Sequence, residues 1–246
     1  MRTAALWATV RELVVDRAHA LGRPLRVLDL GGGTGELAVP LAELGPDLVA
    51  GVTVVDPSPD ALAALARRAA ESGVSGRVEG RQGDADTLAA VVPGRDFDLV
   101  CCHGVLEVVD DPALTLRQLT AALTADGDLS LLVSGRLAAV WARALAGELG
   151  QALAVLTSAD GRYGPHDPLP RRFDLHELTG LVHDAGLQVQ RWHGIRLLAD
   201  LVPSSALDSD ADRSALLAVE RALGEHPAYP FLGELGAGLH VLARRG

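Results

Sequence analysis

The chain has 246 residues, a net charge of −10 and 48% hydrophobic residues, enough to bury a full core in one large domain or one domain with a lid. Its 22 fixed side-chain cations are all arginines, since the sequence holds no lysine, and an acidic balance of this kind argues against a broad nucleic-acid footprint. No charge-free apolar run reaches membrane-spanning length and no basic segment precedes a long apolar stretch near the start, so neither a membrane span nor a signal peptide is expected, and a cytoplasmic protein is. Cys101 and Cys102 are the only cysteines. Adjacent on a strand, they point to opposite faces and make poor disulfide partners. The scattered histidines provide no metal-ligand spacing, so no metal is expected.

In chain order, an amphipathic helix is predicted over about 3–21, with Leu6, Val10, Leu13, Val14 and Ala18 near a helical repeat. A strand over 25–30 follows and runs through Asp29 into a glycine-rich turn and a helix. Gly31, Gly33 and Gly35 fall at alternate positions, where a side chain would block a ligand lying against the backbone or forbid a positive φ. The dinucleotide fingerprint needs G-x-G-x-x-G, and its third glycine position is occupied here by Glu36. A pyrophosphate would meet that carboxylate where a helix start should attract anions. A cofactor without phosphate fits better, and S-adenosylmethionine is one.

The run Val52 to Asp56 reads as a buried strand ending in an acid able to accept from both ribose hydroxyls of an adenosine, with Pro57 after it. After a helix around 59–72, a third strand near 77–82 leads to Asp84 and Ala85, where a carboxylate could take the adenine amino group or simply cap a helix. Phe97 to Cys102 supplies a fourth strand and delivers His103. A helix from Asp111-Pro112 to Thr124, a turn over 125–128 and a fifth strand over 129–133 come next. Residues 136–156 read as one helical stretch and 163–172, with three prolines, as a hinge; together they suggest a lid over 136–172. A helix near 174–185, a strand near 187–194, a helix over 209–224, a loop over 225–233 and a strand near 238–244 complete the chain. Strand and helix alternation predicts an α/β fold with a parallel sheet.

The glycine turn and the acids after the second and third strands resemble those of class I S-adenosylmethionine-dependent methyltransferases of the broad type 11 group, over nearly the whole length. The segments from Arg2 to Trp7, His103 to Pro112, Arg172 to Leu201 and Gly238 to Arg244 are similar to the bacterial tRNA methyltransferases that esterify 5-carboxymethoxyuridine at the wobble position. The resemblance implies a single domain over 1–246 with an N-terminal helix over 1–22. Its fold is a doubly wound, seven-stranded, mostly parallel Rossmann-like sheet with an antiparallel last strand and a helical insertion after strand five. It implies that Gly31, Gly32 and Gly33 line the methionine part of the cofactor, that Asp56 holds the ribose, that Asp84 and Ala85 edge the adenine, and that His103 sits beside the cofactor near the target. Arg2 would pair with the cofactor carboxylate. Asp29, Gly35 and Pro57 complete the candidate cofactor set. Where the subfamily has a lysine-rich stretch, this chain has Thr157 to His166.

The acceptor stays open between the tRNA anticodon loop and a small molecule of metabolism. A carboxylate acceptor needs no general base, being ionised at neutral pH, and Arg172 and Arg196 are the candidates to fix it. A hydroxyl or amine acceptor would use one, and His103 is the best-placed group. No residue is assigned as catalytic. A nicotinamide oxidoreductase and a non-catalytic methyltransferase-like binding module remain as weaker alternatives, disfavoured by the failed third glycine and by the intact cofactor loop respectively.

Overall fold

The structure is a computed structural model that describes residues 4–94, 96–224 and 226–246. Seven strands form one sheet: β1 (Leu25–Leu30), β2 (Val49–Asp56), β3 (Val78–Gln82), β4 (Phe97–His103), β5 (Leu123–Ser134), β6 (Leu187–Ile195) and β7 (Gly238–Arg245), in the order β3-β2-β1-β4-β5-β7-β6. The first five are parallel. β7 runs antiparallel to both β5 and β6, between which it is inserted, so β6 is the sheet edge. The reversal of strand order between β1 and β4 leaves a crevice at the C-terminal ends of the parallel strands, the place where open α/β sheets bind ligands.

Two apolar layers sandwich the sheet. Helices α1 (Ala4–Leu21), α2 (Ala38–Glu43) and α3 (Pro59–Glu71) cover one face, where Leu6, Val10, Val14 and Ala18 meet Val27, Leu99 and Cys101. The short α4 (Leu88–Val91), with α5 (Pro112–Ala122) and α8 (Leu175–Asp184), covers the other, around Leu28, Val100, Cys102 and Phe173. The two cysteines thus face opposite layers, each fully buried and free. Burial pushes both thiols well above their ordinary range, so both are inert packing groups.

Local chemistry explains the boundaries. Ser58 and Asp111 cap α3 and α5 by accepting from the N–H groups of Ala61 and Leu114, each with proline in the first turn. The α5 helix stops two residues before its predicted end because Leu123, fully buried, turns extended and pairs with Phe97 of β4. The predicted stretch over 136–156 is two helices, α6 (Arg136–Leu145) and α7 (Leu149–Thr157), broken at Gly147, which adopts φ +80°. The last helix, α9 (Asp210–Gly224), flanks β6, and the expected loop after it contains a 3-10 turn over Pro230–Leu235. Among the described residues no helix is long and apolar enough to cross a membrane.

Candidate active site

The glycine turn is built as its spacing demands. Gly31, Gly33 and Gly35 have φ of +72°, +53° and +79°, the left-handed region that only glycine enters without strain. The turn is tied down by the Gly31 N–H donating to Val55 O at 2.7 Å and by the Gly35 N–H donating to Gly32 O at 2.9 Å. A Cβ on Gly32 would strike Asp29 Oδ2, and one on Gly35 would strike Leu65, so the backbone lies flat over the acid and over α3. The helix after the turn begins only at Ala38, leaving Glu36 exposed in the turn itself.

Two carboxylates organise this corner. Asp56 Oδ2 accepts from the Gly33 N–H and Oδ1 from the Ser58 N–H, both at 2.9 Å. Each oxygen keeps a lone pair for a further donor. Asp29 is 2% exposed and its Oδ2 has no partner among the described residues. Burial, and then the nearby Asp56, push its carboxyl up to about 7. Pro57 lies exposed past Asp56, its carbonyl accepting from Gln82.

The remaining cofactor candidates rim the same crevice. Register places Leu30 beside Val55 and Cys102, and Asp56 beside Gln82, so the residues after β1, β2, β3 and β4 meet at adjacent strand ends. Asp84 is exposed and uses Oδ1 to accept from both the N–H and the hydroxyl of Thr87, at 2.9 and 2.7 Å. Those bonds, the hydroxyl first, hold its carboxyl below the usual range. Ala85 turns into the core beside Val55 and Leu88, leaving only its backbone for a ligand. Arg2 lies outside the described residues.

His103 is partly exposed at the end of β4, and its Nε2 is 2.9 Å from Ser130 Oγ on β5. Ser130 Oγ is 2.9 Å from His240 Nε2 on β7, and His240 Nδ1 is 3.3 Å from His193 Nε2 on β6, which in turn lies 3.5 Å from Thr9 Oγ1 on α1. Ser130 and His240 are fully buried. Burial pushes His103 down to about 4, burial and then Arg191 do the same to His193, and His240 falls well below its ordinary value. All three rings are therefore neutral across the physiological range.

Sequence reading did not single out this chain, nor Glu107, which is 2% exposed and accepts from the Ser134 N–H at 2.7 Å to brace the end of β5. Glu107 stands inside the His103 to Pro112 segment, but nothing local signalled its partner. Beyond β5, a cavity of about 430 Å³ opens between α6 and the segment from Arg196 to Leu201. Its walls are largely apolar, including Ala138, Trp141, Leu169, Leu201 and Leu232. It starts at Ser134, two residues past Leu132, the strand partner of His103, which is about 7 Å along a strand.

Both arginines proposed for an anionic acceptor, Arg172 and Arg196, line the cavity beyond β5, and each is already engaged by the protein. Arg172 donates to both oxygens of the buried Asp167, at 2.6 and 3.0 Å, and to Gly161 O. Arg196 pairs with Asp200. Arg136 donates to Ser158 O and Ala159 O, Arg171 to Leu106 O and Val109 O, and Arg191 to Glu12. Among the described residues no cluster of three metal-ligating side chains occurs.

Residues 5–191 match the family of methyltransferase domains. Over 245 residues, all of this chain and 88% of the relative, the protein is 27% identical to the tRNA 5-carboxymethoxyuridine methyltransferase of Escherichia coli K12. Over 123 residues, half of this chain, it is 37% identical to the ubiquinone biosynthesis O-methyltransferase of Azorhizobium caulinodans, a match that spans 46% of that relative's length. Among solved structures, an S-adenosylmethionine-dependent methyltransferase from Mesorhizobium loti superposes with a TM-score of 0.59 at 18% identity, covering 91% of this chain and 92% of the other. The family match spans most of the chain and the fold superposes on that of its methyltransferase neighbours, so the chain belongs to the methyltransferase-domain family and is a class I S-adenosylmethionine-dependent methyltransferase.

Proposed function

We propose that the enzyme methylates a hydroxyl oxygen of a small, largely apolar molecule held in the cavity beyond β5. The observation that carries this reading is the fate of the arginines. Arg172 and Arg196, the candidates for fixing an acceptor carboxylate, are each ion-paired with an aspartate, and Arg136, Arg171 and Arg191 are bonded to carbonyls or to Glu12. With no lysine in the chain and a net charge of −10, the surface is poorly suited to gather phosphates. The neutral imidazole of His103 at the rim suits an acceptor that must lose a proton.

The cofactor residues follow the crevice. Gly31, Gly32 and Gly33 would let the methionine part lie against backbone, Asp56 would accept from the ribose hydroxyls through its remaining lone pairs, and Asp84 would present its unused Oδ2 to the adenine amino group. Arg2 would meet the cofactor carboxylate. S-adenosylmethionine, when bound, supplies a methyl group on a sulfonium for in-line displacement. The protein's part is to align the acceptor oxygen, exclude water and receive the proton. Residues 136–172 would act as the lid.

A second reading, esterification of the 5-carboxymethoxyuridine carboxylate in tRNA, is favoured by the likeness to the Escherichia coli enzyme along the whole chain. Incubation with methyl-labelled S-adenosylmethionine and a panel of phenols, alcohols and carboxylic acids, in parallel with tRNA bearing the unesterified nucleoside, separates the two. Labelled methyl ethers with unlabelled tRNA are expected. Appearance of the nucleoside methyl ester would replace the small-molecule reading with the tRNA one.

A further inference from the structure

We propose that His103, Ser130, His240 and His193 form a proton wire that carries the acceptor's hydroxyl proton across the sheet to the cleft between α1, β6 and α9. The proposal rests on the hydroxyl-acceptor reading above. Its basis is continuity: four side chains from four neighbouring strands are linked by contacts of 2.9, 2.9 and 3.3 Å. They lie on a sheet face whose adjoining positions, Leu99, Cys101 and Leu132, are apolar. Three imidazoles on such a face are costly to bury unless each is partnered, and packing alone would be served by aliphatic side chains.

The near end reaches the crevice. His103 Nδ1 makes no hydrogen bond among the described residues, while Nε2 is committed to Ser130. The far end reaches a second cavity of about 990 Å³, lined by His193. His193 Nδ1 itself is buried just behind that lining and has no partner among the described residues, so release to the cleft needs a small opening of the His193 ring. From the elements packed around it, Glu12 and Asp16 on α1, Arg191 on β6 and Glu220 and Arg221 on α9 face the same cleft, and its carboxylates are ready acceptors for a released proton.

The groups permit a balanced transfer. A neutral imidazole has one N–H and one lone pair, and a hydroxyl can donate and accept at once. In the resting polarity His103 Nε2–H donates to Ser130, Ser130 O–H donates to His240 Nε2, and His240 Nδ1–H donates to His193 Nε2. This leaves a lone pair on His103 Nδ1 and a proton on His193 Nδ1. As the acceptor oxygen forms its bond to the methyl carbon, the methyl–sulfur bond breaks with its electron pair left on sulfur, and the acceptor O–H proton passes to His103 Nδ1. Each bridging proton then moves one link along, and the proton on His193 Nδ1 leaves to the cleft. No charge remains inside the sheet, and no water need enter the closed site. Once product leaves, the opened crevice takes the proton from His103 Nδ1, the cleft returns one to His193 Nδ1 and each bridging proton moves back one link, which restores the first polarity with one net proton given to solvent per turnover.

The test begins with the protein itself, labelled with ¹⁵N-histidine and bound to S-adenosylhomocysteine. Long-range ¹H–¹⁵N spectra should show His103, His240 and His193 singly protonated at pH 6, and His240→Gln should redistribute the His103 tautomers through Ser130. A doubly protonated His103 or His240 at that pH, or a His103 tautomer indifferent to His240→Gln, overturns the wire. Turnover provides the second arm. Ser130→Ala should lower kcat at least tenfold for the phenol that labels best, with KM and S-adenosylhomocysteine affinity unchanged, and should spare a matching benzoate, which has no proton to lose. Equal losses on both acceptors would mean a merely structural role and also overturn it. Failure of the parent protein to methylate any hydroxyl sinks the acceptor reading alone, and the tautomer coupling still decides the wire.

Discussion

The two halves of the sheet solve the same problem differently. From β1 to β4, each cofactor candidate sits within a few residues of a strand end, so chain order and spatial order coincide: turn after β1, acid closing β2, acid after β3, histidine closing β4. From β5 to β7, the buried polar contacts are made by partners far apart in the chain. Ser130 meets His240 across 110 residues and Glu107 meets Ser134 across 27. The first half is built from local backbone rules; the second is built from pairings between distant segments. On the proposed function, cofactor and acceptor specificity would be carried by separate parts of one sheet.

Arg172→Ala is the sharpest way to break that division and has the largest expected effect. Burial raises the Asp167 carboxyl, but the bonds from Arg172 and from the Tyr163 and Leu169 N–H groups outweigh it and hold the carboxyl at about 2. Removing the arginine leaves a fully buried carboxylate without its counterion, a loss of about 3–5 kcal/mol. Residues 136–172 should become protease-sensitive while calorimetry gives the parental cofactor affinity. Unchanged stability with lost turnover would restore Arg172 to the acceptor site.

Asp29→Asn tests the first half, with a sign opposite to most core changes. The folded-state carboxyl, pushed up to about 7 by burial and by Asp56, lies above its unfolded value of about 3.9. The folded state therefore holds a proton that the unfolded chain has released, and stability falls as pH rises from about 4 to about 7. Asparagine removes that penalty. Urea unfolding should show the variant gaining on the order of 3 kcal/mol over the parent at pH 8 relative to pH 4. A pH-independent difference would mean that Asp29 is charged at little cost.

The same contrast explains what was legible. The positive φ of Gly31, Gly33 and Gly35, the strand ends at Leu30 and Asp56, and the opposed faces of Cys101 and Cys102 follow from rules that act over two to five residues. The histidine chain was illegible because His193 and His240 become neighbours only once β7 inserts beside β6, and nothing near either residue encodes that register. The ion pairs of the arginines were illegible for a related reason. Arg172 and Arg196 look free in sequence, and their aspartates, five and four residues away, could as well have faced solvent. Even the early end of α5 has a tertiary cause, the pairing of Leu123 with Phe97.

The two smaller predictions ask whether the acids at the ends of β2 and β3 are equal partners. Asp56→Ala removes a carboxylate that bonds the Gly33 and Ser58 N–H groups and, on this reading, two ribose hydroxyls. A charge-assisted pair of that kind contributes about 1.5–3 kcal/mol, so cofactor affinity should fall at least tenfold by calorimetry; unchanged affinity would reject the ribose role. Asp84 stands differently, since one oxygen already serves Thr87 in a reciprocal pair in which the Asp84 N–H donates to Thr87 Oγ1. Its removal should cost about 1 kcal/mol of stability, as for a lost cap, with only a few-fold loss of affinity because the carboxylate is exposed and water competes for the adenine amino group. Asp84→Asn keeps an oxygen for Thr87 and separates the two roles: parental stability with weakened binding assigns the second oxygen to the ligand. Parental behaviour in both respects would leave Asp84 as a turn residue and place the whole adenine contact on backbone around Ala85.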